Sequence, residues 1–203
     1  MDRQYICIDF KSFFASVECV ERGLDPMSAR LIVADPERND TTICLAVSPA
    51  LKKLGVKNRC RVYEIPKNID YIMASPRMKK YIEYSANAYA VYLKYVAKED
   101  IYIYSIDEAF IDLTDYLSLY KMTARELGEK IRQDVLKTIG IPAAFGIGTN
   151  LYLAKIALDI EAKKSDEFIG ELNQQKYISE LWDHKPITDF WRIGAGTAAR
   201  LEK

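Results

Sequence analysis

Ser105-Ile106-Asp107-Glu108-Ala109-Phe110 sets two adjacent carboxylates at the end of an apolar, β-rich run, Ile101-Tyr102-Ile103-Tyr104. A third carboxylate, Asp9, ends another such run, Tyr5-Ile6-Cys7-Ile8. Acidic residues avoid the ends of buried strands, because desolvating an unpaired carboxylate costs several kcal/mol (roughly) unless a cation compensates it. A bound divalent metal is such a cation. Side chains alternate along a strand, so Asp107 and Glu108 converge only where a turn or irregular end breaks the alternation. Oxygen-only ligands select hard ions, Mg²⁺ or Mn²⁺. Two such ions ~3.5–4 Å apart clamp an in-line displacement at phosphorus. Either acidic feature alone is an ordinary helix cap or solvated turn; their joint placement at strand ends carries the reading.

Working outward, residues 4–10 read as a strand and 11–21 as a helix that buries Phe14 and Val17, with Phe13 and Val20 as further candidates for that face. Apolar runs at 29–34 and 42–47 flank the polar turn 35–40, the pattern of a β-hairpin. A short helix opens at Ser48-Pro49 and closes at Gly55. Ser75-Pro76 reads as the start of a long helix with Met78, Tyr81, Ile82, Ser85, Tyr89, Tyr92 and Val96 on its apolar face. Strands are predicted at 101–106 and 109–113. Thr123 and Glu126 form a capping box for a helix burying Leu127, Ile131 and Val135 before Gly140 stops it. A strand at 143–148 and a helix capped by Thr149-Asn150 follow. With 19–77 set aside as an insertion, the order is a split β-α-β-β-α-β sheet with helices on one face, an α+β, ferredoxin-like fold. A turn-helix unit begins near Ile187 and is only about six residues old at Lys203, too short to be stable alone, so the chain reads as a fragment of something longer.

Composition bounds the rest. The 203 residues are 49% hydrophobic and 29% charged, enough for a real core. Lys+Arg and Asp+Glu are both 29, so no global basic field marks a nucleic-acid partner and any such contact is local. Four cysteines without a CxxC pair and a single histidine suggest neither a zinc site nor a disulfide framework. With no leader and no apolar run of membrane-spanning length, the expectation is a cytoplasmic protein with no membrane partner.

The strings Ile8-Asp9-Phe10-Lys11-Ser12-Phe13-Phe14-Ala15-Ser16-Val17-Glu18 and Ser105-Ile106-Asp107-Glu108-Ala109-Phe110-Ile111-Asp112-Leu113 resemble the two signature motifs of Y-family translesion DNA polymerases, the DinB/UmuC group. Phe145-Gly146-Ile147-Gly148-Thr149-Asn150-Leu151-Tyr152-Leu153-Ala154-Lys155-Ile156-Ala157 looks like their third block. Residues 48–56 and 61–66 look most like UmuC-type proteins of Gram-positive bacteria. The resemblance implies a right-hand polymerase with palm at 1–18 and 78–168, fingers at 19–77 and the start of a thumb at 169–203. The little finger and a sliding-clamp-binding segment are absent from this stretch. It also implies nucleotidyl transfer from a dNTP to a primer 3′-OH on primer-template DNA, with two Mg²⁺ ions for which Mn²⁺ can substitute. By position, Asp9, Asp107 and Glu108 match the metal-binding carboxylates, with the Phe10 carbonyl as a further ligand. Phe14 matches the steric gate against a ribose 2′-OH, and the amides of Lys11, Ser12 and Phe13 sit where a helix N-terminus binds triphosphate.

Many relatives grip the triphosphate with a Tyr and an Arg, where this chain has Pro49 and Lys52. Ser48 and Lys52 are the candidate replacements, Lys being a point charge where Arg is a planar fork. The resemblance implies that Lys163 or Lys164 reaches the triphosphate from the palm, and spacing does not choose between them. Gly194 and Gly196 resemble the thumb's DNA-phosphate turn. Two other classes compete: a non-catalytic nucleotide- or DNA-binding regulatory relative, and a cyclase-like nucleotidyl transferase on a similar palm. Intact carboxylates speak against the first; the fingers-like insertion and Phe14 speak against the second.

Overall fold

A run of consecutive apolar side chains builds a central strand covered on both faces, β1 (Tyr5–Phe10), of which Ile6, Cys7 and Ile8 are fully buried. The computed structural model describes residues 3–163 and 165–201. The chain divides into two compact units, one made of the residues up to Asp9, Val91–Asp134 and those from Ala143 on, the other of Phe10–Ala90 and Val135–Pro142.

In the first unit β1 joins a five-stranded sheet. Numbering strands along the whole chain, its other members are β5 (Ile101–Ile103), β6 (Glu108–Asp112), β7 (Ala143–Gly148) and β8 (Ile169–Leu172), in the order β5-β6-β1-β7-β8. The first four follow the split β-α-β-β-α-β pattern; β8, which the sequence reading leaves out, extends the edge parallel to β7, with Phe145 opposite Ile169. β6 runs antiparallel to both neighbours, pairing Cys7 with Phe110 and Ile103 with Ala109. Residues 104–107 are the tight turn between β5 and β6, closed by Tyr104 and Ser105 amides on the Glu108 carbonyl at 3.0 and 3.1 Å.

The helices do not all lie on one face, contrary to expectation. A Cβ on Gly128 would meet the Phe145 ring at 2.8 Å, so the helix 124–139 covers the Phe145 side of β7. Gly146 and Gly148 point the opposite way, and a Cβ on either would lie 2.2 Å from a backbone nitrogen, of Leu158 and Ala154 respectively. Only glycine lets the helix starting at Leu151 rest its backbone directly on β7. That helix is capped by the Asn150 side chain, which accepts from the Leu153 amide at 2.8 Å, and it widens into π-type turns over Ala157–Ala162. Opposed pairs share a face and positions two apart share a face. Cys7, Asp9, Glu108 and Phe110 therefore all lie on the side of the sheet covered by 151–162, where Cys7 and Phe110 pack with Ala154 and Leu158.

In the second unit β2 (Leu31–Val33) and β3 (Ala46–Val47) form the expected hairpin, with Ile32 opposite Val47, and β4 (Ile72–Ala74) adds parallel to β2. Their core is Ile32, Ala34, Cys44, Val47, Leu51, Val56, Cys60 and Ile65. The helix α1 (Phe13–Val20) packs on β2 and β3, which is why compactness groups residues 10–18 with the insertion, whereas the sequence reading assigns them to the palm. Phe13 is the buried aromatic of α1, and Phe14, expected in the core, is only partly buried.

The helix predicted from Ser75-Pro76 starts later, at Met78, with the Arg77 carbonyl accepting from Lys80 and Tyr81. Tyr81, Ala88, Val91 and Tyr92 are its buried residues, while Met78 and Ile82 are exposed. The Thr123–Glu126 capping box is reciprocal, with N···O distances of 2.8 and 3.2 Å, and Leu127, Ile131 and Val135 are fully buried. Gly140 ends that helix at φ 71°, a left-handed turn suited to glycine. Near the chain's end a last helix spans Ala195–Leu201. Among the described residues no helix is long and apolar enough to cross a membrane.

Candidate active site

The acidic site grows out of the β1–β6 register. Asp9 sits opposite Glu108, the last pair of that ladder, and Asp107 precedes Glu108 in the turn. Ser105 fixes Asp107, its hydroxyl donating to Oδ1 at 2.7 Å. Asp9 is partly buried, and burial, with Asp107 and then Glu108 close by, pushes its carboxyl up to about 7. Lys155 and Lys163 offset part of that rise.

Glu108 is oriented by its own partners. Its Oε1 is 2.9 Å from the Lys155 ammonium and accepts the Cys7 thiol at 3.1 Å. Lys155 is 7% exposed and also meets Asp159 at 3.1 Å, the carboxylate one helical turn on. Asp159 in turn holds the exposed Lys163 at 3.2 Å. Burial works against a charged Lys155, but Glu108 and Asp159 outweigh it and hold its pKa above the usual lysine value. Beside Glu108, burial and that carboxylate keep the Cys7 thiol protonated. The sequence reading passes over Lys155, Asp159 and Cys7 as site residues; the one available signal is the i,i+4 spacing of Lys155 and Asp159.

Sequence reasoning expects the three carboxylates to meet around an ion. As they stand, no group of three His, Cys, Asp or Glu side chains among the described residues is arranged to enclose one, and Glu108 is turned to Lys155 and Cys7. The donor chemistry nevertheless fits a hard divalent ion: two facing carboxylates and a third beside them, all oxygen donors.

The other candidates fall in the second unit or farther along the first. Ser12, left-handed at φ 49°, precedes α1, and the Lys52 ammonium lies 2.9 Å from its hydroxyl. The Lys11 amide is already bonded to the Pro142 carbonyl at 2.9 Å, which withdraws it from the expected amide cluster. Phe10 is buried and stacks on Phe13, with ring centroids 5.4 Å apart. Phe14 stacks almost flat on Tyr81, 4.3 Å away at 13°. Tyr81 donates to the buried Glu18 at 2.9 Å, which Arg77 also clamps through Nε at 2.9 Å and Nη2 at 2.8 Å, with Arg22 as a further partner. Ser48 is fully buried and accepts from the Leu31 amide at 3.1 Å, so its hydroxyl serves the fold. Lys164 lies outside the described residues. Gly194 and Gly196 are exposed with open space where a Cβ would be, at the start of the last helix.

A split sheet of this order, with carboxylates at the end of its two central strands, is a polymerase-palm fold. Residues 8–159 match the impB/mucB/samB family, and the chain belongs to that family. Among curated relatives it is 32% identical over 202 residues to the UV-damage repair protein UvrX of Bacillus subtilis, covering 99% of this chain and 47% of that one. It is 33% identical over 197 residues to DNA polymerase IV 2 of the same organism, covering 97% and 47%. Among solved structures it resembles DinB from Sulfolobus solfataricus, with a TM-score of 0.77 at 25% identity over 98% of this chain and 56% of that one. An insertion ternary complex of Dbh DNA polymerase superposes with a TM-score of 0.81, also at 25% identity, over 98% and 57%. The chain thus spans about half the length of the curated relatives it matches.

Proposed function

We propose that this chain carries the catalytic residues of a lesion-bypass DNA polymerase, which transfers a nucleotidyl group from a dNTP to a primer 3′-OH on a DNA template. The observation that carries the reading is the Asp9–Glu108 pair at the end of the β1–β6 ladder with Asp107 in the adjoining turn. The family match and the two named relatives support it.

Asp9, Asp107 and Glu108 are the residues that would hold Mg²⁺. When bound, the metal supplies charge neutralisation at phosphorus and lowers the pKa of the attacking hydroxyl. The chain's own groups position. Ser105 orients Asp107, while Lys155 and Cys7 orient Glu108 through one oxygen. Ser12 and Lys52 give a cationic, hydroxyl-bearing corner suited to phosphate oxygens, with the Phe13 amide as a further candidate donor. In the first unit, Lys163 is a separate candidate contact. The Phe14 ring, kept rigid by Tyr81, acts as the gate against a ribose 2′-OH. Catalysis of this kind is mostly positioning and charge neutralisation. Gly194 and Gly196 contribute a backbone turn toward a DNA phosphate.

Primer extension across an abasic template site tests the proposal. Mg²⁺-dependent extension is expected from the full-length protein, weak or no processive synthesis from this 203-residue stretch alone, and none from the full-length double variant Asp107→Ala, Glu108→Ala. Undiminished extension by the double variant removes the assignment.

A further inference from the structure

Lys155 is the most buried of the cations facing the acidic site, and its ammonium is shared between Glu108 and Asp159 at 2.9 and 3.1 Å. A lysine this buried is normally excluded from a core unless a carboxylate pairs with it. Here the carboxylate it pairs with is also one expected to ligate the ion. The helix that carries Lys155 cannot retreat, because its backbone rests on Gly146 and Gly148 of β7 without an intervening side chain. Asp159 lies four residues on, fixed on the same helix, and gives the ammonium a second resting place.

We propose that Lys155 is a tethered counter-ion of the acidic site: it occupies Glu108 until a divalent cation arrives, then shifts wholly onto Asp159, and so weakens ion binding when no other ligand is present. This inference rests on the assignment of Glu108 as a metal ligand. Two positive centres competing for one carboxylate raise each other's dissociation constant, and an ammonium close to the site repels a divalent ion through a medium that screens less than water. An incoming ligand that brings its own negative charge, such as a triphosphate, restores the balance. Firm ion binding is thereby linked to nucleotide binding.

Mn²⁺ titration followed by electron paramagnetic resonance, without nucleotide, tests this on the whole chain. Lys155→Gln, which loses the charge on a slightly shorter polar side chain, is expected to bind Mn²⁺ at least tenfold more tightly. Lys155→Arg, which keeps charge, should stay within threefold of the parent. Added dATP should tighten Mn²⁺ binding less in Lys155→Gln than in the parent. Equal or weaker binding by folded Lys155→Gln overturns the inference. Should that variant not fold, Asp159→Asn decides: leaving Lys155 wholly to Glu108, it should weaken Mn²⁺ binding severalfold, and unchanged affinity overturns the inference. If neither the parent nor Lys155→Gln binds Mn²⁺ in a way that Asp107→Ala abolishes, the metal assignment itself fails, an outcome distinct from equal binding by both.

Discussion

Asp9 and Glu108 face each other across β1 and β6, on the same side of the sheet, as the final pair of an antiparallel ladder. Like charges directly opposite destabilise a sheet, and here a third carboxylate adjoins them. The arrangement persists because Lys155 offsets Glu108 and because Asp9 keeps its proton to about pH 7.

The Asp9 proton predicts a pH dependence. In the unfolded chain Asp9 ionises near its ordinary value of 3.8; in the folded chain it does so at about 7. Stability from this group is therefore complete below the unfolded value, falls as pH rises between the two, and is lost above 7. In a chelator, Asp9→Asn should come close to the parent near pH 4 and exceed it by about 4 kcal/mol at pH 8, as read by urea denaturation. A parent that is the more stable of the two at pH 8 would contradict this.

Glu18 predicts the opposite slope. Burial raises its pKa, but hydrogen bonds from Arg77, Arg22 and Tyr81 outweigh that and hold it below the usual glutamate value. Its stability is present above the unfolded pKa and lost as pH falls through the folded one. Glu18→Gln should cost about 3 kcal/mol at pH 7, and the difference from the parent should shrink in acid. A pH-independent difference would assign the loss to packing.

On the proposed assignment, Phe14 and Ser48 separate function from fold. Phe14→Ala should raise ribonucleotide incorporation relative to deoxyribonucleotide at least tenfold, with a modest loss of stability because the ring is only partly buried. Ser48→Ala should cost about 1 kcal/mol, by leaving the Leu31 amide unpaired, without changing KM for dNTP. Lys52→Ala should do the reverse, raising KM about fivefold at little cost in stability. Steady-state single-nucleotide insertion and thermal denaturation report both halves.

The third motif block predicts a backbone contact. Gly146→Ala forces a Cβ to within 2.2 Å of the Leu158 nitrogen, so the helix must lift from β7. A loss of at least about 3 kcal/mol is expected, whereas Gly194→Ala, with open space at its Cβ, should be neutral. Differential scanning calorimetry distinguishes them.

Local patterns were legible wherever a period or a cap declares itself. The Thr123–Glu126 box, the Gly140 stop and the hairpin around 35–40 stand as the residues announce them. β8 was not legible: Ile169-Gly170-Glu171-Leu172 is too short to show a period, and it becomes a strand only because β7 offers it an edge. Ser48, with the composition of a phosphate contact, is buried under Leu31, a placement set by the β2–β3 pairing and not by its neighbours in sequence.

The amino-acid order alone determined that Asp9, Asp107 and Glu108 end or adjoin apolar strands, since chain alternation and the cost of burying charge act over a few residues. Tertiary structure decided which cation meets which carboxylate. Lys155, 47 positions after Glu108 in the chain, reaches it only because two glycines let a helix settle on β7. Charge pairing depends on distance through space, and backbone contact between helix and strand fixes that distance.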